Sequence, residues 1–359
     1  MDDQIIKAVD GISYYIDPGE IVAIVGESGS GKSVSQYAGL QLIPQPPGEI
    51  VDGEVWFEGK NLLELDQNSD QLRDMRGGKI GIVFQEPMTS LNPVLTVGRQ
   101  IMESLLIHTK MSKKEAEERT LELLKMVGIP DAEHRINDYP HQFSGGMRQR
   151  IMIAMAMSCN PKLLIADEAT TALDVTTQAQ ILELLRDLVR QTNTAMVIVT
   201  HNMGIVARYA DRIYVMYAGE IVESGPCKEI FARPSHPYTI GLLRAIPRLD
   251  DPKERKLIPI DGMPPNLAQK PETCPFLPRC KFKTDRCKTE PSPQLREVAP
   301  NHYAACYIDL YDRQNPTSGG AKAEIAVTVT EEHRKSQWVS KEGNEVLLEV
   351  KNLKTYFPI

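Results

Sequence analysis

Short apolar runs alternate with polar turns over residues 1 to 88, at Ile12–Ile16, Ile21–Val25, Val55–Phe57 and Ile80–Phe84. Runs this short, rich in β-branched residues and bounded by Gly, Pro and Asp, predict strands. From 89 to 158 the period changes. Ser112-Lys113-Lys114-Glu115 has the spacing of a capping box, Ala116, Leu123, Leu124 and Val127 follow at helical intervals, and Gly128 closes the segment. Strands return at Lys162–Ala166, which runs into Asp167 and Glu168, and at Ala195–Thr200, with a helix-period stretch over Thr177–Arg190 between them. Buried strands alternating with helices predict an α/β protein with a parallel sheet covered on both faces.

Beyond about residue 226 prolines accumulate, and the pattern up to 311 is that of a loop-rich extension without an evident core of its own. Residues 312–345 are polar and, apart from Trp338, nearly free of aromatics, as expected of a linker. Residues 346–359 alternate again like a strand. The expected division is therefore a core made of 1–88 and 159–225, a helical insertion at 89–158, the extension at 226–311, the linker, and a terminal strand.

The run Ile21–Val25 passes directly into Gly26-Glu27-Ser28-Gly29-Ser30-Gly31-Lys32-Ser33, which fits G-x-x-x-x-G-K-[ST] at every position. A glycine-rich turn between a strand and a helix aims several backbone N–H groups at one point near a positive helix end, a site for a phosphate chain. Lys32 is placed to reach the β- and γ-phosphates and Ser33 to ligate Mg²⁺. Asp167 and Glu168 follow four apolar residues at a strand mouth. Asp167 suits the Mg²⁺ shell and Glu168 suits polarising an attacking water. Phe143-Ser144-Gly145-Gly146-Met147 is a second glycine turn opening a helix, with Ser144 as the expected N-cap.

Composition narrows the class. The 359 residues are 42% hydrophobic and 25% charged, enough for a full core. A net charge of −7 weighs against a general nucleic-acid binder, whose affinity needs clustered Lys and Arg. The acidic first twenty residues show no signal-peptide pattern, and no apolar run reaches bilayer length, so any membrane role is expected to be peripheral. Cys274, Cys280, Cys287 and Cys306, spaced x5, x6 and x18, fall in the proline-rich extension, where four thiolates could ligate a [4Fe–4S] cluster or a structural Zn²⁺. No pair has the x2 to x4 spacing usual for zinc. Cys159 and Cys227 read as inert.

Taken in order, these motifs resemble the set that defines ABC ATPases. Ser144–Gly146 followed by Arg148-Gln149-Arg150 resembles the signature turn, Gln85 the glutamine that touches Mg²⁺ and water, Ala172-Leu173-Asp174 the D-loop, and His201 the switch histidine at the γ-phosphate. Glu86–Pro93, Ala169–Asp174 and Ser235-His236-Pro237-Tyr238-Thr239 resemble the ATP-binding subunits of dipeptide and oligopeptide importers, with nickel importers a near alternative. The resemblance implies an ABC-type P-loop ATPase fold and ATP hydrolysis coupled to peptide import. It also implies a second ATPase subunit, a different paralogue, that supplies the facing signature turn. The other implied partners are two transmembrane permease subunits and, indirectly, an extracytoplasmic solute-binding protein, with the chain on the cytoplasmic side of the membrane. In the resembled peptide importers the cysteine-bearing extension carries an iron–sulfur cluster, which ranks the cluster above zinc. A soluble ABC ATPase acting on nucleic acid or ribosomes is the alternative from another class, and a redox sensor in the extension a third. The family's adenine-stacking aromatic comes shortly after a first strand that lies upstream of Lys7, and Leu348–Phe357 resembles that opening. The leading expectation is the start of a second, cut-off ABC unit; the alternative is a strand that folds back and supplies Tyr356 or Phe357.

Overall fold

The computed structural model describes residues 5–85, 90–170, 173–246, 259–310 and 346–358. Glu86–Thr89, Thr171, Ala172 and the expected linker at 312–345 lie outside the described residues. The chain divides into two compact units, one made of Met1–Tyr15, Val22–Leu63 and Thr200–Ile359, the other of Ile16–Ile21 and Glu64–Val199.

The elements that matter are, in chain order, β1 (Ile5–Ile16), β2 (Ile21–Val25), α1 (Lys32–Gly39), β3 (Glu49–Phe57), β4 (Ile80–Val83), α2 (Val97–His108), α3 (Lys113–Met126), α4 (Gly145–Met157), β5 (Leu163–Asp167), α5 (Val175–Thr192), β6 (Ala195–Thr200), α6 (Met203–Tyr209), β7 (Arg212–Tyr217), β8 (Glu220–Pro226), α7 (Cys227–Ala232), α8 (Pro237–Arg244), β9 (Arg296–Ala299), β10 (His302–Ala304) and β11 (Leu348–Pro358).

In the first unit β2 pairs in parallel with β7, and β8, β10 and β9 continue antiparallel beyond it. Every residue of β2 is buried, as two-sided coverage of a parallel strand requires. A separate sheet runs in the order β1-β11-β3, with Lys60–Asn61 at its edge. Its strands are half exposed, which is why the apolar pattern marks only Val55–Phe57 of the nine-residue β3. The 346–358 segment thus lies as a strand between β1 and β3, with Leu348 opposite Phe57 and Tyr356 opposite Glu49.

The extension shares a core with the sheet: its Phe231, Tyr238, Phe276 and Cys280 pack in one cluster with Val25, Val215 and Tyr217. Glu223 on β8 holds it there: the buried carboxyl group accepts from Ser235 N–H at 2.6 Å and His236 N–H at 2.9 Å, and pairs with His302 Nε2 on β10 at 2.7 Å.

The second unit stacks β4, β5 and β6 in parallel, with Ile80 beside Leu163 and Asp167 beside Val199. Its helices carry the expected stops and starts. Ser112 and Glu115 form the capping box of α3, with Ser112 N–H donating to Glu115 Oε2 at 2.7 Å. Helix α5 begins two residues before the expected Thr177 because Asp174 caps it.

Candidate functional site

The first unit carries the glycine-rich loop. After the buried strand β2 the chain turns through Gly26–Gly31 and enters α1 at Lys32. Gly31 has φ of 98°, and a side chain there would collide with the Ala8 carbonyl; one at Gly26 would collide with the Met216 carbonyl. The glycines therefore press the loop against β1 and β7. Lys32 is buried, and its Nζ donates to the carbonyls of Gly26 and Glu27, both at 2.9 Å. Ser33 is half buried, Ser28 and Gly29 are exposed, and Ser30 Oγ is buried without a hydrogen-bond partner. The loop is thus open over Ser28–Gly29, with a lysine held at its centre by its own carbonyls.

Glu27 is fixed by residues that motif reading did not single out for a role. Its N–H donates to Tyr238 Oη at 2.7 Å. Its carboxylate takes both arms of the Arg279 guanidinium, at 2.6 and 2.9 Å. The buried Arg279 also donates to the Ile260 and Asp261 carbonyls and to Tyr217 Oη. Tyr238 belongs to the Ser235–Thr239 stretch quoted above and Arg279 lies between Cys274 and Cys280; their spacing from Glu27, 211 and 252 residues, left no local signal of the contact. His201 stands exposed just beyond β6, where Asn202 caps α6 by accepting from Gly204 N–H at 2.9 Å.

The second unit carries the acids. Asp167 ends β5 and is almost fully buried. Glu168 follows with φ of 45°, a left-handed conformation that a glutamate rarely adopts, and its N–H donates to the Val199 carbonyl at 2.9 Å. Gln85, two residues past β4, donates from Nε2 to Glu168 Oε2 at 3.1 Å. Two residues 83 apart in sequence are thereby brought into direct contact.

In the same unit Ser144 accepts from Met147 N–H at the start of α4, as expected of an N-cap. Asp174 does the same for α5, accepting from Thr176 and Thr177 N–H at 3.1 and 3.0 Å and from the Thr177 hydroxyl at 2.7 Å. The Thr177 donors hold the Asp174 carboxyl below the usual carboxylate range. The two helix starts face each other: a side chain on Gly146 would crowd Thr177, and Gly145 lies beside Leu173. Bare backbone at Gly146 is therefore a packing requirement.

All four extension cysteines, Cys274, Cys280, Cys287 and Cys306, line one small cavity together with His236, Phe276 and Tyr307. They form no disulfide. Burial pushes the Cys274 and Cys306 thiols up to about 11 and raises that of Cys280. Among the described residues no group of three or more His, Cys, Asp or Glu is arranged to hold a metal ion. The expected four-thiolate ligand set is thus present as a shared cavity lining and not as a formed metal site. Among the described residues no helix is long and apolar enough to cross a membrane.

Residues 9–171 match the family model described as ABC transporter, and residues 222–287 match that of the oligopeptide/dipeptide transporter C-terminal region. The chain is 50% identical over 303 residues to the oligopeptide transport ATP-binding protein OppD of Bacillus subtilis, covering 84% of each chain. It is 48% identical over 319 residues to the dipeptide transport ATP-binding protein DppD of the same organism, covering 88% of this chain and 94% of that one. Among solved structures it is similar to the dimeric ABC transporter cassette MJ0796, with a TM-score of 0.55 and 34% identity over 63% of this chain and 94% of that one. A post-hydrolysis dimer of the same cassette, bound to ADP and Pi, gives a TM-score of 0.52 at 31% identity, over 62% of this chain and 98% of that one. With an ABC-type P-loop α/β fold, the ABC motifs in order and 50% identity to a curated member over 84% of both chains, this chain belongs to the ABC transporter family, in the group of oligopeptide and dipeptide transporter ATP-binding proteins.

Proposed function

We propose that the chain hydrolyses ATP to drive import of dipeptides or oligopeptides, as one of two ATP-binding subunits attached to the cytoplasmic face of a membrane permease. The observation that carries the reading is the Gln85–Glu168 contact at 3.1 Å in a chain that also holds a complete Gly26–Ser33 loop. In this reading backbone N–H groups of Gly26–Ser33 cradle the phosphates and Lys32 leaves its loop carbonyls for the β- and γ-phosphates. Glu168 takes the proton of the attacking water, Gln85 orients both, and His201 faces the γ-phosphate. Ser33, Asp167 and Gln85 are the residues that would hold Mg²⁺, which when bound neutralises charge on the phosphates. Ser144, Gly145, Gly146 and Asp174 serve the nucleotide of the second ATPase subunit, a different paralogue. The other partners are two transmembrane permease subunits and, through them, an extracytoplasmic solute-binding protein.

Cys274, Cys280, Cys287 and Cys306 are proposed to hold a [4Fe–4S] cluster. Four soft donors around one cavity support this. Iron and sulfide in stoichiometric yield from anaerobically purified protein are expected; zinc in their place identifies a structural zinc site.

The decisive test uses membrane vesicles containing the chain with its permease and partner ATPase subunit. ATP-dependent uptake of a labelled peptide is expected, and Lys32→Ala removes it. Uptake of nickel but not peptide, or co-purification with ribosomes in place of membrane subunits, overturns the assignment.

A further inference from the structure

Two residues of the C-terminal extension, Tyr238 and Arg279, converge on one residue of the phosphate loop. Tyr238 fixes the Glu27 main chain through its N–H, and Arg279 fixes the Glu27 side chain with a two-armed ion pair whose arginine is 4% exposed. Arg279 is itself held in a tight turn, in which Leu277 N–H donates to the Cys274 carbonyl and Arg279 N–H to the Phe276 carbonyl, both at 3.0 Å. Its guanidinium lies near the rings of Tyr217 and Phe276, and these pack on each other edge to face with centroids 5.3 Å apart. Two backbone carbonyls, of Ile260 and Asp261, take further guanidinium donors. A planar, five-donor group clamped on every side has little freedom left, so the carboxylate it grips is placed as rigidly as the core behind it.

The line of contact continues into the loop. The Glu27 carbonyl accepts from Lys32 Nζ at 2.9 Å. Moving Glu27 therefore moves one of the acceptors that aim the lysine. We propose that Arg279 is a positioning residue for nucleotide binding: acting through Glu27, it sets the entry to the phosphate loop and the resting place of Lys32, so that the C-terminal extension tunes the affinity of the ATP site. The proposal rests on the reading of Gly26–Ser33 as the phosphate loop.

The test measures ATP hydrolysis and nucleotide binding on the full chain. Arg279→Ala is expected to raise KM for MgATP and the Kd for ADP on the order of tenfold, the usual scale for losing a charge-assisted pair, with kcat within about threefold of the parent. Glu27→Gln keeps the shape and the half-exposed setting while removing the charge, and it is expected to shift KM the same way. Combining the two should add little beyond either alone, and the exchanged pair Glu27→Arg with Arg279→Glu should recover part of the loss. A purely structural arginine would lower the unfolding midpoint and the active fraction, hence apparent kcat, without a selective change in KM. Unchanged KM in Arg279→Ala and in Glu27→Gln overturns the proposal, as do additive effects in the double variant. Lys32→Ala separates the two levels: if it leaves nucleotide binding intact the loop assignment itself fails, whereas lost binding there with normal KM in the Arg279 and Glu27 variants refutes Arg279 alone.

Discussion

Glu168→Gln separates chemistry from scaffold at this site. The substitution keeps the side chain's length and still offers an oxygen to Gln85 Nε2, 3.1 Å away, and the Glu168 N–H to Val199 carbonyl bond is untouched. Only the proton acceptor is lost. Positioned general bases contribute about 10²- to 10⁴-fold, or roughly 3–5 kcal/mol of barrier, so kcat should fall by that factor. Nucleotide Kd should stay within a factor of about 2–3, because nothing that touches the phosphates has changed. The backbone at Glu168 supplies an internal control. Its φ of 45° is a strained conformation for any residue but glycine, with a cost on the order of 1 kcal/mol, so Glu168→Gly should stabilise the fold slightly while abolishing turnover as fully as glutamine. Single-turnover hydrolysis by phosphate release, with fluorescent-nucleotide titration and chemical denaturation alongside, reads all three quantities. Turnover in Glu168→Gln within tenfold of the parent would refute the role of Glu168 as base. A parallel loss of nucleotide affinity would show that the carboxylate acts on binding.

His236 is fully buried and neutral, with burial driving it down to about 3; its Nδ1 accepts from Tyr238 N–H at 3.1 Å. Below pH 6.5 the unfolded chain takes up a proton that the folded chain refuses, so stability should drop by about 1.4 kcal/mol per pH unit between pH 6.5 and 3 on this account, and His236→Asn, which retains a capping oxygen, should flatten that slope in denaturation curves. Glu223→Ala strands two buried N–H groups and His302, and should cost roughly 3–9 kcal/mol at about 1–3 kcal/mol for each of the three lost partners, read from urea midpoints; a loss under 1 kcal/mol would show the network to be solvated. Tyr356 donates to Asp10 Oδ1 at 3.0 Å, and Lys7 lies over its ring. If that ring serves adenine, Tyr356→Ala should weaken ATP binding about ten- to hundredfold, and unchanged affinity would remove it from the site.

The parts of the fold legible in the sequence are those decided by near neighbours. The β2 strand, the glycine loop, the Ser112–Glu115 box and the Ser144 cap each depend on residues within a few positions, and each is found in place. Asp174, noted as a D-loop residue, also caps α5, a second use that its two hydrogen-bonded threonines reveal. The strand β3 was legible only at Val55–Phe57, since its first half faces solvent and its pairing partner lies some 300 residues away. The clamp on Glu27 was illegible for the same reason: a lone arginine in Pro275–Arg279 has no periodic context, and only the folded chain says which carboxylate it meets.

The strand β11 has a consequence for how the molecule is made. Its residues Leu348, Val350 and Leu353 are buried between β1 and β3, and Tyr356 meets Asp10 across 346 positions of sequence. Pairing at that separation cannot form until everything between has been synthesised, and closing so long a loop is slow as well as entropically costly. During synthesis β1 and β3 therefore wait with open edges, each displaying unsatisfied backbone donors and acceptors to the ribosome surroundings. The nascent chain is most exposed to edge-to-edge association in that interval, which ends when β11 inserts between β1 and β3.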